Sequence, residues 1–395
     1  MDSIRQFENA LAARVFPDGH GEAIAFWKGR VALYAILKAL GIKPGDEVIL
    51  PAYTCVVVPN AIIYCGAKPV YVDINPRTWT LDTGRIEAHI TPHTRAIIAQ
   101  NTFGLSADLD LVVDIAAKHH LHVVEDCAHG LGGTYKGRPN GSTGSASFVS
   151  FQWNKTITTG LGGMAFASSE TTVRLLRDLQ DQAASVPRRV QAQLRAQQVA
   201  HSLLSKPRMY WAIMQSYRSL SRLGLAVGSS SAIETESPSL PPDYFRQICS
   251  VQSKLGLRAI EDLSRQLTHR IAVARQYRQC LLSLGVEPCY EPDNASHSYL
   301  RFPLLVSDRR AFMSAAQRRG IEIGDWLNSP LHPVQSNLER WGYVPGSAPI
   351  AERTAARMVN LPTHSRTDGN VLRRNIAFLR ENVGLIRERQ DSGGS

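Results

Sequence analysis

Several features that would place the chain in a common class of protein are missing from its sequence. No stretch approaches about 18 consecutive uncharged apolar residues, so a membrane-spanning helix is not expected. The opening segment, MDSIRQFENALAARVF, contains no long apolar core, so a secretory signal peptide is not expected either.

Paired cysteines are also missing. The six cysteines form no CxxC pair and have no spacing typical of a zinc site. Several lie inside apolar segments, where cysteine behaves as a small hydrophobic residue. We therefore expect reduced thiols, no bound metal and a cytoplasmic location.

The sequence has no GxGxxG or Walker motif, although the glycine-rich run TTGLGG occupies residues 158–163. The net charge is +10, but much of the excess lies in arginine-rich stretches such as VPRRVQAQLRAQ and in the C-terminal helices. No basic motif is interleaved with aromatic residues. Dinucleotide binding and nucleic-acid binding are therefore not expected.

What the chain does have is an alternation of helix and strand patterns from Gly29 to about Ser169. Short runs rich in β-branched residues, among them EVILP, KPVYVDI and LHVVEDC, are separated in several places by helical segments. This order predicts an α/β domain whose mostly parallel sheet has helices on both faces. Ligands of such sheets bind beyond the carboxyl ends of the strands, where this chain places chemically distinctive residues.

We predict two domains. The first, residues 1–240, is a large α/β domain with a basic helical insertion at about residues 170–240, and the second, residues 241–395, is a smaller α+β domain. The stretch KPRMYWAIMQSYRSLSRLGLAVG within the insertion favours a helix packed on the domain or on a partner subunit, with contact to a membrane surface or a lipid substrate as the minor alternative. Residues 248–285 have the pattern of one long amphipathic helix.

Two residues of unlike charge follow neighbouring strands of the predicted sheet. Asp126 ends the strand in VVEDCAHG, and Lys155 comes 29 residues later in SFQWNKTITTGLGG. Alone, the acidic pair Glu125–Asp126 favours a helix cap or a structural ion pair, and a lone lysine favours a surface position. Together they suit pyridoxal phosphate, whose aldehyde bonds to a lysine and whose ring nitrogen is kept protonated by an aspartate.

A phosphate and a ring need further contacts. Gly29 and Arg30 begin a predicted helix whose first N–H groups suit an anion, and Ser150 can donate a hydroxyl hydrogen bond. Tyr53, in PAYTC, is the candidate for stacking on the ring, and His129 can cover the ring from its other side or form a hydrogen bond with it.

The motifs GRVAL, GDEVILPAYT, AKPVYVDI, VVEDCAHG and SFQWNKTITTGLGG, in this order and spacing, resemble those of the DegT/DnrJ/EryC1/StrS family. The resemblance is strong over about residues 26–169 and weaker beyond. It implies a fold-type I, pyridoxal-phosphate-dependent transferase with a seven-stranded sheet. It also implies an aminotransferase that moves an amino group, in most cases from glutamate, to a nucleotide-linked keto sugar for surface polysaccharide or secondary-metabolite synthesis, and a homodimer.

The resemblance also implies the role of each site residue. Lys155 matches the lysine bonded to the cofactor, Asp126 the partner of the ring nitrogen, and His129 a position near the 3-hydroxyl of the ring. Ser150 matches the phosphate-binding serine, and Gly29 and Arg30 fall where other phosphate contacts lie. Two alternatives stay open: another fold-type I enzyme acting on amino or keto acids, and a non-catalytic regulator that binds the cofactor.

Three departures from the family pattern concern the substrate and the subunit interface. Cys55 occupies a position where tryptophan or phenylalanine is common. The segment PPDYFRQICSVQ lacks the asparagine that reaches the phosphate of the neighbouring subunit, and the insertion at about residues 170–240 is longer and more basic than usual. The sequence does not identify the sugar, the ring carbon, the nucleotide or the pathway.

Overall fold

The structure is a computed structural model that describes residues 2–204 and 232–386. The centre of the molecule is a seven-stranded sheet in the order β1-β10-β9-β6-β5-β2-β4. Its strands are β1 (Glu22–Phe26), β2 (Glu47–Pro51), β4 (Lys68–Val72), β5 (Thr94–Gln100), β6 (His122–Asp126), β9 (Ala146–Ser150) and β10 (Gly163–Ala167). Only β10 runs against its neighbours, so the predicted seven-stranded, mostly parallel α/β sheet is confirmed.

Both faces of this sheet are buried, which explains the continuous apolar runs of its strands. Alternate residues of β5 point to opposite sides: Ile98 joins the core beneath one set of helices, and Ile97 joins the core on the other face. The helices of this part are α1 (Ser3–Val15), α2 (Gly29–Ala39), α3 (Val57–Tyr64), α4 (Leu109–Lys118), α5 (Glu170–Gln182), α6 (Arg188–Leu204) and α7 (Ala232–Glu236).

The C-terminal part has its own hydrophobic core around an antiparallel strand pair, β12 (Phe302–Leu305) and β14 (Met358–Leu361). Its helices are α8 (Ser250–Glu261), α9 (Leu263–Ser283), α10 (Arg309–Arg319), α11 (Pro349–Arg357) and α12 (Gly369–Glu381). The small strands β7 (Thr134–Tyr135), β8 (Arg138–Pro139) and β11 (Ala295–Ser296) form a separate sheet. The predicted long helix over residues 248–285 is two helices, because the chain turns at Asp262, whose carboxylate binds Arg265 in the next turn.

The two parts of the chain are joined by a short parallel pairing. Strand β3 (Thr54–Cys55) pairs with β13 (Leu331–His332), which carries residues near 330 to the end of the large sheet. Ile260 and Leu263, which follow the predicted boundary at residue 240, pack in the same core as α1. The domain boundary itself stays a prediction.

Residues 206–228, for which the sequence predicts a helix packed on the domain or on a partner subunit and, as the minor alternative, membrane contact, lie outside the described residues. Among the helices that the structure does describe, none combines the length and apolar character needed to cross a bilayer.

Candidate active site

A cleft lies beyond the carboxyl ends of β6 and β9, between the large sheet and the C-terminal part of the chain. It is lined by six of the seven residues that the sequence predicts for the site: Gly29, Arg30, Asp126, His129, Ser150 and Lys155. The lining also includes residues that the sequence does not single out as site residues, notably Lys28, Cys55, Gln100 and Trp326.

A tight turn after β9 positions Lys155. The backbone N–H of Lys155 donates to the carbonyl of Gln152, and Asn154 between them has a left-handed φ of 66°. Asparagine tolerates this conformation better than most residues because its short polar side chain can bond locally. Gly160 and Gly162 also have positive φ angles, and the Phe151 N–H donates to the Gly162 carbonyl as the chain returns towards β10. The glycine-rich run therefore closes the loop that holds the lysine.

The Lys155 side chain is buried, with 8% of its surface exposed, and its amine forms no hydrogen bond with a described residue. Its Nζ atom lies 4.7 Å from the centroid of the Trp326 ring. Burial lowers the pKa of Lys155 to about 8, Asp126 and Cys55 oppose this shift, and Arg301 adds to it. The amine is therefore close to half neutral at pH 8, whereas an exposed lysine is almost fully charged there.

The two adjacent carboxylates of β6 point to opposite faces of the sheet, as successive residues of a strand must. Glu125 is fully buried and accepts hydrogen bonds from the side-chain amide of Asn101 and the N–H of Gly141, each at 2.8 Å. Asp126 faces the cleft, and its Oδ1 atom accepts a hydrogen bond from the Ala128 N–H at 2.9 Å. Burial raises the pKa of Asp126 to about 6, while Ala128 and Lys155 oppose the shift. Glu125 has a structural environment, and Asp126 has that of a ligand-binding group.

His129 is half-buried in the cleft wall. Its ring stacks on Phe103, with centroids 6.1 Å apart, and meets Trp326 edge-on at 5.7 Å. Burial and the nearby positive charge of Lys155 hold the pKa of His129 well below its usual range. Its Nδ1 atom accepts the Phe103 N–H at 3.3 Å, so the neutral ring carries its proton on Nε2. His129 thus presents one neutral N–H donor.

The start of α2 packs tightly against β9. A side chain at Gly29 would meet the Ser150 Cβ atom at 2.8 Å, and one at Gly163 would meet the Gly29 backbone at 2.3 Å. These two glycines allow the helix N-terminus, with its unsatisfied N–H groups, to lie beside the Ser150 hydroxyl. The Arg30 guanidinium, in contrast, is buried in an ion pair with Glu234 of α7 at 2.5 Å.

Tyr53 is the one predicted site residue that is not part of the cleft lining. It is fully buried in the core of the C-terminal part, 6.4 Å from the Phe103 ring. The structure thus places Tyr53 apart from the other six predicted site residues, and its stacking on the cofactor stays a prediction. Cys55, two residues later, lines the cleft instead.

The aromatic residue that faces Lys155 is Trp326, which the sequence did not nominate. Its ring also stacks on His332, with centroids 5.2 Å apart, and the Arg301 guanidinium lies 5.6 Å from its centroid. The only signal in the sequence is the position of a tryptophan in a loop rich in glycine, aspartate, asparagine and proline, IGDWLNSP. Trp326 can be recognised as a site residue only in the structure, where the fold brings it to the cleft beside the sheet.

The residues of the cleft fit pyridoxal phosphate. The buried Lys155 amine, without a hydrogen-bond partner in the described chain, suits the aldehyde. Asp126, whose carboxylate accepts one hydrogen bond from the described residues, suits the ring nitrogen. The space kept by Gly29 beside Ser150 suits the phosphate. The aldehyde, the ring nitrogen and the phosphate of the cofactor therefore each have a matching group in the cleft.

The model of the DegT/DnrJ/EryC1/StrS aminotransferase family matches residues 2–206 and 212–380. The spore coat polysaccharide biosynthesis protein SpsC of Bacillus subtilis (strain 168) is 30% identical over 376 residues, which cover 93% of this chain and 86% of SpsC. GDP-perosamine synthase of Caulobacter vibrioides is 42% identical over 186 residues. That second match covers about half of each protein, 47% of this chain and 49% of the synthase.

Among solved structures, DesV of S. venezuelae in complex with a ketimine intermediate superposes with a TM-score of 0.77. The two chains are 25% identical, and the match covers 98% of this chain and 91% of DesV. The fold is thus shared over nearly the whole length.

Proposed function

The chain belongs to the DegT/DnrJ/EryC1/StrS aminotransferase family, and we propose that it transfers an amino group from an amino acid to a keto sugar carried on a nucleotide. The observation that carries this proposal is the presence, in one cleft, of a buried carboxylate, Asp126, and a buried lysine, Lys155, whose amine has no hydrogen-bond partner among the described residues. The family's cofactor, pyridoxal 5′-phosphate, requires this pair.

When bound, the cofactor supplies a carrier for the amino group and a ring that accepts electrons from the substrate. Lys155 holds the cofactor through its aldehyde, Asp126 through its ring nitrogen, and Ser150 and the Gly29 N–H through its phosphate. His129 offers its Nε2–H to an oxygen on the ring. These roles are supported by the positions of all five residues in the cleft lining.

The electrostatics of the cleft suit two tasks that amino transfer requires: moving a proton to and from the substrate, and keeping a proton on the ring nitrogen. A group moves protons best when its pKa lies near the working pH, and Lys155, with a pKa of about 8, has both its neutral and its charged form populated there. Asp126, with a pKa of about 6, is ionised at neutral pH and can hold a proton on the ring nitrogen. His129 stays neutral, so it donates a hydrogen bond without adding positive charge.

The amino donor in this proposal is glutamate, and its carboxylate requires a cation. Arg301 forms no hydrogen bond or ion pair with any residue in the described part of the chain, and it lies against Trp326 at the edge of the cleft. Its charge reaches the site, because it lowers the pKa of both Lys155 and His129. We assign the donor carboxylate to Arg301.

The acceptor is proposed from the relatives. GDP-perosamine synthase and SpsC are named for a nucleotide-linked amino sugar and for a spore coat polysaccharide. A keto sugar on a nucleotide, used for surface polysaccharide or secondary-metabolite synthesis, fits this family. A homodimer and a cytoplasmic location stay predictions.

The experiment reduces the purified, cofactor-loaded protein with borohydride and maps the labelled peptide by mass spectrometry. We expect a pyridoxyl label on Lys155, loss of the visible absorption band on adding glutamate, and its return on adding a nucleotide keto sugar. Lys155→Ala should fold but carry no label. A label on a different lysine, or a Lys155→Ala protein that still transfers amino groups, contradicts the proposal. Return of the band with keto acids other than 2-oxoglutarate, and not with nucleotide keto sugars, would favour an enzyme of amino-acid metabolism. 2-Oxoglutarate is left out because it reverses the glutamate half-reaction in either case.

A further inference from the structure

Three cations lie close together around the N-terminus of α2, and they differ in their partners. Arg30 is paired with Glu234 at 2.5 Å, and Arg246 is paired with Asp243 at 3.2 Å. Lys28, the residue immediately before α2, forms no ion pair or hydrogen bond through its side chain to anything within residues 2–204 and 232–386. Two of the three charges are therefore neutralised by the protein, and the third is not.

Lys28 lines the same cleft as Gly29, Ser150 and Lys155. Because it is the N-cap residue of an eleven-residue helix and caps it with no side-chain hydrogen bond, its ammonium group adds to the positive end of the helix dipole. Burial lowers the pKa of Lys28 to about 8; Arg30 adds to the shift, and the more distant carboxylates of Glu234 and Asp243 oppose it. Both carboxylates are within ion-pair distance of an arginine, and neither is within that distance of Lys28.

We propose that Lys28 is the counter-ion of the cofactor phosphate, and that Arg30, which the sequence nominates for this contact, instead ties α2 to α7. Lys28, Gly29 and Ser150 all line the cleft, and Gly29 lies directly against Ser150, so a cation, a helix N-terminus and a hydroxyl are available to a phosphate dianion. Glu234, the partner of Arg30, is buried, and its carbonyl accepts a hydrogen bond from Asn60 at 2.9 Å. That second contact supports a structural role for the Arg30–Glu234 pair. This inference rests on the proposed function.

The test compares two aldehydes that differ only in the phosphate, pyridoxal phosphate and pyridoxal. Binding to cofactor-free protein is followed by absorbance and by quenching of tryptophan fluorescence. We expect Lys28→Met to weaken pyridoxal phosphate binding by about tenfold or more, since a charge-assisted contact is lost, and to change pyridoxal binding less than about twofold. Lys28→Arg should recover most of the affinity.

Lys38→Met is the matched control, because Lys38 is exposed at the other end of the same helix and its loss removes the same charge. Thermal melts of the cofactor-free proteins show whether each variant is folded, and Lys28→Gln replaces Lys28→Met if the latter does not fold. Equal loss in Lys28→Met and Lys38→Met, or a loss shared by pyridoxal, overturns the inference. So does unchanged cofactor affinity with a raised KM for the nucleotide sugar. A wild-type protein that binds neither aldehyde contradicts the proposed function instead.

Discussion

The cleft has two walls of different origin. The sheet wall consists of the strand-end residues Asp126, Ser150 and Lys155, which lie within 30 positions of one another in the chain. The far wall is Trp326, which lines the cleft, with the Arg301 guanidinium 5.6 Å from the centroid of its ring. In the proposed function, the sheet wall supplies the groups that bond to the cofactor, whereas the far wall supplies an aromatic face beside Lys155 and a cation that lowers the pKa of Lys155. Cofactor chemistry and donor recognition are thereby proposed for different stretches of sequence.

The largest effect should come from the sheet wall. Asp126→Asn removes the charge that holds a proton on the ring nitrogen, and we expect the aminotransferase kcat to fall about 100-fold or more. The label on Lys155 after borohydride reduction should persist, because the lysine is untouched. Steady-state kinetics and peptide mapping check both statements. Activity within a few-fold of wild type would remove Asp126 from the reaction.

Glu125, next to Asp126 on the same strand, should affect stability and not the reaction. Glu125→Gln disturbs the buried hydrogen bonds to Asn101 and Gly141, so we expect the free energy of unfolding to fall by about 1–3 kcal/mol. The folded fraction should still bind the cofactor. Urea denaturation measures the first quantity and absorbance the second. If Glu125→Gln and Asp126→Asn had the same kinetic defect, the assignment of the two faces of β6 would be wrong.

A substitution in the far wall should change the binding of the amino donor. Arg301→Gln removes the proposed partner of the carboxylate, and we expect the KM for glutamate to rise about tenfold while pyridoxal phosphate affinity is unchanged. Arg310→Gln, on the exposed surface of α10, is the matched control. Equal KM values for glutamate in the wild type and in Arg301→Gln would mean that a residue other than Arg301 binds the donor carboxylate.

The sequence predicted the sheet wall because its information is local. Each strand is a short apolar run, and parallel strands bring their carboxyl ends to one edge, so Asp126, Ser150 and Lys155 had to be neighbours. The sequence did not show that Tyr53 lies outside the cleft lining, because its ring packs with residues of the C-terminal part that are far away in the chain. Trp326 was missed for the same reason. Lys28 was visible in the sequence, but its importance depends on Glu234 and Asp243 neutralising the other two cations, which only the structure shows.

The two walls also act on the pKa of Lys155 with opposite signs, which gives the smallest and most specific prediction. Asp126 raises this pKa and Arg301 lowers it, around a value of about 8 that burial sets. The rate at which pyridoxal plus borohydride labels Lys155 in cofactor-free protein should rise with pH, with its midpoint at about 8, because only the neutral amine reacts. Asp126→Asn should move the midpoint to lower pH, and Arg301→Gln should move it to higher pH. Shifts in the same direction would mean that Asp126 or Arg301 does not act on the pKa of Lys155 as described. The assignment of opposite effects to the two walls would then be wrong.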